Sequence, residues 1–452
     1  MTMWIGYRFV ASLLAGAFAL MSVGLLCAAD KRPNILFLFA DDQRPDTIAA
    51  LGNDAIRTPT LDALVERGFV FHNAYCLGSN VGAVCSPSRN MLMTGRAYFR
   101  WNGRLASPEL PNLPATMKQA GYFTYHHGKR GNTATAIQAL FDVNKYVEDK
   151  PDRLSGEPGK VIVDEAIEFF AQRTSEQPVF MYLAFSNPHD PRVAHERFRR
   201  QYEPAEIPLP KNYLPVHPFD NGEMTVRDEK LAPWPRTEQE IRSQLHDYYA
   251  TITGLDFHMG RLLRALKEQG RLDNTIVMFS ADHGLAIGSH GLMGKQSLYE
   301  HSMQAPLLFA GPGIPHGQSD ALVYLLDLFP TIADLGGGPI PNGLDGHSLK
   351  PILQGKTSSV RDSLFLAYRD VQRAIRVGDW KLIRYPHINR TQLFNLAADP
   401  DEMHDLSAAA EHQSRVEQLM AKLAEAQRQY GDSAPLTSQK PRSGEFEFPH
   451  SR

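Results

Sequence analysis

Cysteine is scarce, with three in 452 residues, and that alone excludes a disulfide-stapled scaffold. Once Cys27 is set aside with the N-terminal segment, a single bridge between Cys76 and Cys85 is the one pairing left to consider. Charge of one sign is lacking too. With 47 basic and 50 acidic residues and a net charge of -3, there is no electrostatic footprint for nucleic acid, so binding has to be local. No internal repeat is present, and after residue 29 no stable membrane-spanning stretch is expected. The length exceeds what one hydrophobic core usually serves, which predicts a large domain and a smaller one.

The first 29 residues read as an export signal. Arg8 precedes an apolar run from Phe9 to Leu26, and Cys27-Ala28-Ala29 supplies the small residues that a signal peptidase needs. The run is nearly long enough to cross a bilayer, so an uncleaved anchor is the rival reading. A lipoprotein reading of Cys27 is weaker, because Leu26 stands where a small residue is wanted. An exported protein, periplasmic or secreted, is expected.

Asn34 to Ala40 is a continuous apolar run that ends in Asp41-Asp42, the pattern of a strand buried on both faces. Similar runs occur at 122–126, 178–185, 275–280 and 305–309, with helical periodicity between them at 59–67, 113–120 and 159–173. This alternation predicts an α/β fold with a large mixed, mostly parallel sheet sandwiched by helices. Residues 202–235 are Pro-rich and aperiodic, either a lid, a substrate-binding loop or an insertion. Thr237 and Glu240 form a capping box that opens a long helix lasting to Gly270. After about residue 355 short strand-like runs at 363–367, 373–377, 381–384 and 392–396 precede a helix at 413–428. They predict a small C-terminal antiparallel sheet packed by that helix. The expected division is therefore 1–29 signal, 30–355 catalytic domain, 356–430 subdomain and 431–452 a loose or surface-laid tail.

The stretch from Val84 to Arg96 carries a thiol, a helix start and two cations. Pro87 suits a first helical turn and Gly95 a helix end. Cys85 would sit at the positive end of a helix dipole with Arg89 one turn along, which favours an anion between them. Taken singly, such a cysteine is a small buried hydrophobe, half of a disulfide, or an activated thiolate.

The string Cys85-Ser86-Pro87-Ser88-Arg89 followed by Thr94-Gly95-Arg96 resembles the signature of the type I sulfatases of the alkaline phosphatase superfamily, including iduronate-2-sulfatase-like and choline-sulfatase-like members. The resemblance covers residues 32 to 410. It implies that Cys85 is converted to formylglycine by a maturation enzyme and that the chain hydrolyses a sulfate ester.

Asp41-Asp42 and Asp282-His283 each follow a buried strand directly. Carboxylates converging there would raise one another's pKa unless a cation neutralised them, which makes a divalent metal the economical explanation. Oxygen donors favour Ca²⁺, with Mg²⁺ possible, while an imidazole is more at home on a transition metal. The resemblance assigns Asp41, Asp42, Asp282 and His283, with the modified Cys85, to calcium. It places Lys129 and Lys295 with Arg89 around the sulfate ester, and His189 in the active site. One departure stands out: the family histidine that follows the Gly-Lys pair is replaced by Gly131 and Asn132, so that either His126 or His127 substitutes from the other side of Lys129 or the step is handled differently. For the leaving group a sulfated sugar is expected, with choline sulfate or an aryl sulfate as alternatives. His217, Trp234, His290, Arg369 and Arg373 are the candidate sugar contacts. A phosphodiester or phosphonate monoester hydrolase and a catalytically silent carbohydrate-binding relative are the rival functions.

Overall fold

A computed structural model describes Met1 and residues 32–448 except 102 and 104. The 1–29 segment, read above as an export signal, therefore lies outside the described residues apart from Met1. Contacts group Pro33–Arg452 as one unit, apart from Met1–Arg32.

The apolar run predicted to be doubly buried is the central strand of an eight-stranded sheet, Asn34–Ala40, with six of its seven residues fully buried. In spatial order the sheet is Gly317–Ser319, Phe69–Phe71, Leu307–Ala310, Thr275–Ala281, Asn34–Ala40, Val179–Ala184, Phe123–Lys129 and Val143–Val147. Leu307–Ala310 runs antiparallel to both neighbours and every other pairing is parallel. Helices flank this sheet, so the predicted mixed, mostly parallel architecture is what the chain adopts.

Register decides where the chemistry gathers. Ala40 lies opposite Ala281 in the parallel pair. The residues that follow, Asp41-Asp42 and Asp282-His283, consequently leave the sheet side by side at its carboxyl edge, where open α/β sheets collect function. Two strands away, Gly128 faces Ala184 and delivers Lys129 to the same edge. Gly128 has no room for a side chain: a Cβ there would meet the Ala184 carbonyl oxygen at 2.1 Å and the Ala184 Cβ at 2.7 Å. Gly128→Ala is therefore expected to destabilise by about 1–3 kcal/mol through overpacking, read as a lowered Tm. An unchanged Tm would mean that this strand contact is looser than described.

Thr237 caps the long helix Glu238–Glu268 as predicted, its hydroxyl accepting from the Glu240 N–H at 3.2 Å. The smaller sheet contains Ser363–Tyr368, Gln372–Val377, Trp380–Tyr385 and Arg390–Asn395 as an antiparallel meander. The helix Gln413–Tyr430 carries buried Leu419 and Leu423. A fifth, two-residue strand, Gly78–Ser79, joins parallel to Ser363–Tyr368, so the loop that leads into Cys85 is built onto this sheet. The tail beyond Gly431 is laid over the surface: Arg384 donates to Leu436 O at 2.7 Å, Asn389 to Ser438 O at 2.8 Å, and Asp220 N to Gly444 O at 2.8 Å.

Candidate active site

The helix Cys85–Thr94 begins at the thiol and ends at Gly95, whose left-handed φ of 62° lets its N–H cap the Met91 carbonyl. All ten of its residues are buried. Cys85 Sγ lies 3.1 Å from His283 Nε2, 3.3 Å from Lys295 Nζ, 3.4 Å from Asp41 Oδ1 and 3.6 Å from Asp42 Oδ1. Cys76 and Cys85 are both free, which removes the disulfide reading.

The anion-site expectation from the helix dipole alone needs correcting. Three carboxylates surround the thiol, and the Cys85 pKa is pushed well above its usual value by burial first and by Asp41, Asp282 and Asp42, against the opposing pull of Lys295. The neutral thiol is therefore the stable form, and the activated-thiolate reading fails. Burial likewise pushes Cys76 up to about 12.

The chain's own cations outweigh the repulsion by which Asp41 raises Asp42 among these carboxylates. Arg89 bridges two of them, Nη2 to Asp41 Oδ2 and Nε to Asp282 Oδ2, each at 2.9 Å. Lys129 Nζ reaches Asp41 Oδ2 at 2.9 Å, and Lys295 Nζ holds Asp42 at 2.7 and 2.9 Å. Burial opposes ionisation of Asp41, but Lys129 and Arg89 hold it well below the usual carboxylate range, and Lys295 does the same for Asp42 against its own burial. The chain's own cations thus supply the compensation that had been assigned to a metal alone.

The case for a metal rests instead on donor chemistry. Ligand atoms of Asp42, Cys85, Asp282 and His283, and of Asp41, Asp42, Cys85 and His189, lie within 4.8 Å of one another. His283 Nδ1–H donates to Gly284 O at 2.8 Å, which turns Nε2 towards the cluster, 3.1 Å from Cys85 Sγ and 3.3 Å from Asp42 Oδ1. An oxygen-rich set with one imidazole fits a divalent cation. Asp42 is held in place by its own backbone: φ is 69°, its N–H donates to Asp282 Oδ1 at 3.0 Å, and Tyr248 Oη–H donates to its carbonyl at 2.6 Å. A strained residue clamped on both sides is the kind that persists at functional sites.

His189 sits at the rim, its side chain 14% exposed, with Nε2 3.8 Å from Asp42 Oδ2 and Nδ1–H donating to Asp190 O at 2.7 Å. Burial lowers its pKa, opposed by Asp42. His126 and His127 do not substitute for the missing family histidine. His126 Nδ1 contacts Asn144 Oδ1 at 2.8 Å and its ring lies against Phe141 and Tyr182, while His127 faces Glu165 at 3.5 Å. Alternation along the strand sends these two rings to opposite faces of the sheet, away from the edge.

Of the candidate sugar contacts, three are structural. His217 Nε2 meets Tyr299 Oη at 3.1 Å, His290 stacks on Tyr299 at 4.0 Å, and buried Arg373 pairs with Asp432 at 2.6 Å. Trp234 packs under the Arg236 guanidinium at 4.3 Å and beside Phe446 of the tail. Arg369 remains at the surface, with 44% of its side chain exposed, and its guanidinium pairs with the buried Glu223 carboxylate.

Arg227, Asp228 and Glu229 of the 202–235 segment carry a chain of contacts that no sequence motif announces. Arg227 clamps the Asp190 carboxylate and also reaches Asp228 at 2.7 Å. Asp228 accepts from Gln296 Nε2 at 2.7 Å, beside Lys295. Glu229 accepts from the N–H groups of Met293 and Gly294 at 2.9 and 2.8 Å and pairs with Arg236 at 2.8 Å. The segment forms a wall of the site, pinning both His189 and the Lys295 loop. Among the described residues no helix is long and apolar enough to cross a membrane.

A sulfatase family model matches residues 33–338, and a model for the C-terminal part of N-sulphoglucosamine sulphohydrolase matches 288–429. The N-acetylglucosamine-6-O-sulfatase of Bacteroides thetaiotaomicron is 26% identical, over 90% of this chain and 88% of that protein. The choline-sulfatase of Rhizobium meliloti is 28% identical, over 83% and 82%. Among solved structures, one in complex with its substrate D-glucosamine-2-N,6-O-disulfate matches with a TM-score of 0.73 at 24% identity, covering 90% of this chain and all of that one (100%). A phosphonate monoester hydrolase of Agrobacterium radiobacter matches with a TM-score of 0.75 at 21% identity, covering 91% and 99%. These two likenesses are of fold. With its sulfatase model spanning the whole main sheet and the cluster around Cys85, the chain belongs to the sulfatase family of the alkaline phosphatase superfamily and is a sulfuric ester hydrolase.

Proposed function

We propose that the protein is an exported, formylglycine-dependent, calcium-binding sulfatase that releases sulfate from a sulfated carbohydrate. The observation that carries this reading is the convergence of Asp41, Asp42, His283 and Lys295 on one buried sulfur atom of low acidity. A thiol pushed towards its neutral form is a poor nucleophile, which supports a nucleophile other than the thiolate at position 85.

Formylglycine at position 85 supplies a hydrated aldehyde, a nucleophile that needs no thiolate. Asp41, Asp42, Asp282, His283 and the modified residue would hold a calcium ion, which would supply positive charge to that group. The chain's own residues do the rest. Lys129 and Lys295 each have an ammonium at the cluster and neutralise the ester oxygens. Arg89 commits Nε and Nη2 to Asp282 and Asp41, so it holds the carboxylates together beneath the reacting group. His189 has its Nδ1 proton fixed on Asp190 O, which directs Nε2 at the leaving alcohol. Burial favours its neutral form, and an anionic ester beside it favours the protonated form that donates to the departing oxygen.

The sugar class draws support from the relative named for N-acetylglucosamine 6-O-sulfate and from the C-terminal model named for N-sulphoglucosamine. Export draws support from the 1–29 pattern, and the 30–355 and 356–430 boundaries from the change of pattern near residue 355. Rates on the sulfate, phosphate and phosphonate esters of one phenol test the reaction class. Sulfate turnover at least tenfold above the others is expected. Preference for the phosphonate ester would transfer the chain to the hydrolase class represented by its second structural neighbour, and binding without turnover by fully converted protein would mark a silent relative.

A further inference from the structure

We propose that the protein has a second sugar-binding subsite beside its reaction centre, so that its substrate is an oligosaccharide rather than a single sulfated sugar. This rests on the carbohydrate reading above. The subsite is a cavity of about 520 Å³ lined by Asn80, Tyr98, Phe99, Trp101, Arg369 and Asp370, within the usual size of a small-ligand site. The lining combines aromatic rings with an amide, a guanidinium and a carboxylate. Aromatic rings cover the apolar face of a pyranose, and the polar groups meet its equatorial hydroxyls.

Two features set it apart from an ordinary surface hollow. Asn80 Oδ1 and Trp101 Nε1 are both shielded from solvent and have no hydrogen-bond partner among the described residues. Each orphan costs about 1–3 kcal/mol, and one is an acceptor while the other is a donor. Either side chain, turned towards the cavity, would meet a hydroxyl, which donates and accepts at once and so suits an acceptor and a donor alike. Arg369, moreover, is a non-glycine residue at φ 44°, held there from both sides. Its N–H donates to Ser79 O at 2.6 Å, and its carbonyl accepts from Arg373 Nη1 at 2.5 Å. A backbone forced into the left-handed region and locked at the cavity's edge orients the Arg369 and Asp370 side chains at a cost that packing alone does not require.

The cavity is wired to the reaction centre. Asn80 precedes Cys85 by five residues, a reach of at most roughly 17 Å. Gly82 O between them accepts from Tyr368 Oη at 3.3 Å and from Gln296 Nε2 at 3.2 Å. Gln296 follows Lys295 and Tyr368 precedes Arg369, so one carbonyl joins the subsite wall to the sulfate-binding loop. A sugar ring next to the sulfated one would therefore lie along the 80–85 segment.

The test compares a sulfated glucosamine monosaccharide with a sulfated tetrasaccharide containing it, and measures binding of the desulfated tetrasaccharide by calorimetry. Wild-type protein is expected to favour the tetrasaccharide at least tenfold in kcat/KM, through KM. In Trp101→Ala and Arg369→Ala that ratio should fall to about one, and calorimetric binding should be lost. Where the alanine variants do not fold, Arg369→Lys keeps a cation beside the buried Glu223 carboxylate and should still lower the ratio, since an ammonium lacks the guanidinium fork. Turnover of both substrates with a ratio unmoved by either folded variant, or equal rates in the wild type, overturns the subsite while leaving the sulfatase reading intact. Trp101-dependent binding of the desulfated chain without turnover of any sulfated sugar upholds the subsite and sinks the substrate reading. No binding and no turnover of sugars sinks both.

Discussion

Replacing Cys85 by alanine is expected to abolish sulfate ester hydrolysis, by roughly 10⁴-fold or more in kcat, the scale on which loss of a covalent nucleophile is felt in hydrolases. The fold should survive, because the deletion removes one sulfur atom from a cluster whose ion pairs run among Asp41, Asp42, Asp282, Arg89, Lys129 and Lys295 without it. The sharper form of the prediction concerns the unmutated chain. Burial and the neighbouring carboxylates push the Cys85 thiol towards its neutral form, so protein that retains its sulfur should be as inactive as the alanine variant. Activity across preparations should scale with the fraction of molecules in which residue 85 has exchanged sulfur for oxygen, measured by mass spectrometry of the peptide that contains it. Full activity in a preparation whose residue 85 is entirely thiol would refute the proposed chemistry at its root.

Much of this site could be read along the chain because it hangs on strand ends. A run such as Ile35 to Ala40 buries itself on both faces, and parallel pairing then fixes where Asp41 and Asp282 emerge; hydrophobic pattern determines register, and register determines proximity. The long helix was legible for a similar reason, since Thr237 and Glu240 act on each other locally. What escaped were destinations set by folding over long separations. Lys295 meets Asp42 across 253 positions and Lys129 meets Asp41 across 88, so no local signal showed that the carboxylates already had cations. Two histidines next to a catalytic-looking lysine, His126 and His127, are turned aside by strand alternation, which the sequence contains but which a motif comparison ignores. His217 and His290 looked like ligand contacts because polar aromatics in an irregular segment usually are; here they close a core around Tyr299. Arg227 has no periodicity, no motif and no local partner to announce it, and its clamp on Asp190 becomes visible only when the insertion is folded against the strand end.

Arg89 is where stability and catalysis meet. Its guanidinium is fully buried, bridges Asp41 and Asp282, donates to Ala40 O at 3.3 Å and lies 5.0 Å above the Phe39 ring. Removing it by Arg89→Ala leaves two carboxylates short of a cation at zero exposure, and breaking a buried pair this way costs about 3–5 kcal/mol. Activity should fall by roughly 10²–10³-fold as well, since a preorganised charge is lost under the ester. Arg89→Lys should recover part of the stability and little of the rate, because one ammonium cannot hold two carboxylates in the fork geometry. Acid provides the discriminating measurement. Asp41 is depressed by Lys129 and Arg89 despite its burial, so its contribution to stability is complete above its unfolded value of about 3.9 and is lost as pH falls through the lower folded value. Without Arg89 the folded value rises and less remains to be lost. The gap in Tm between wild type and Arg89→Ala should therefore be widest near neutral pH and should narrow as pH falls below about 4. A gap of constant width would assign Arg89 to packing against Phe39 and remove it from the electrostatic frame on which the proposed site depends.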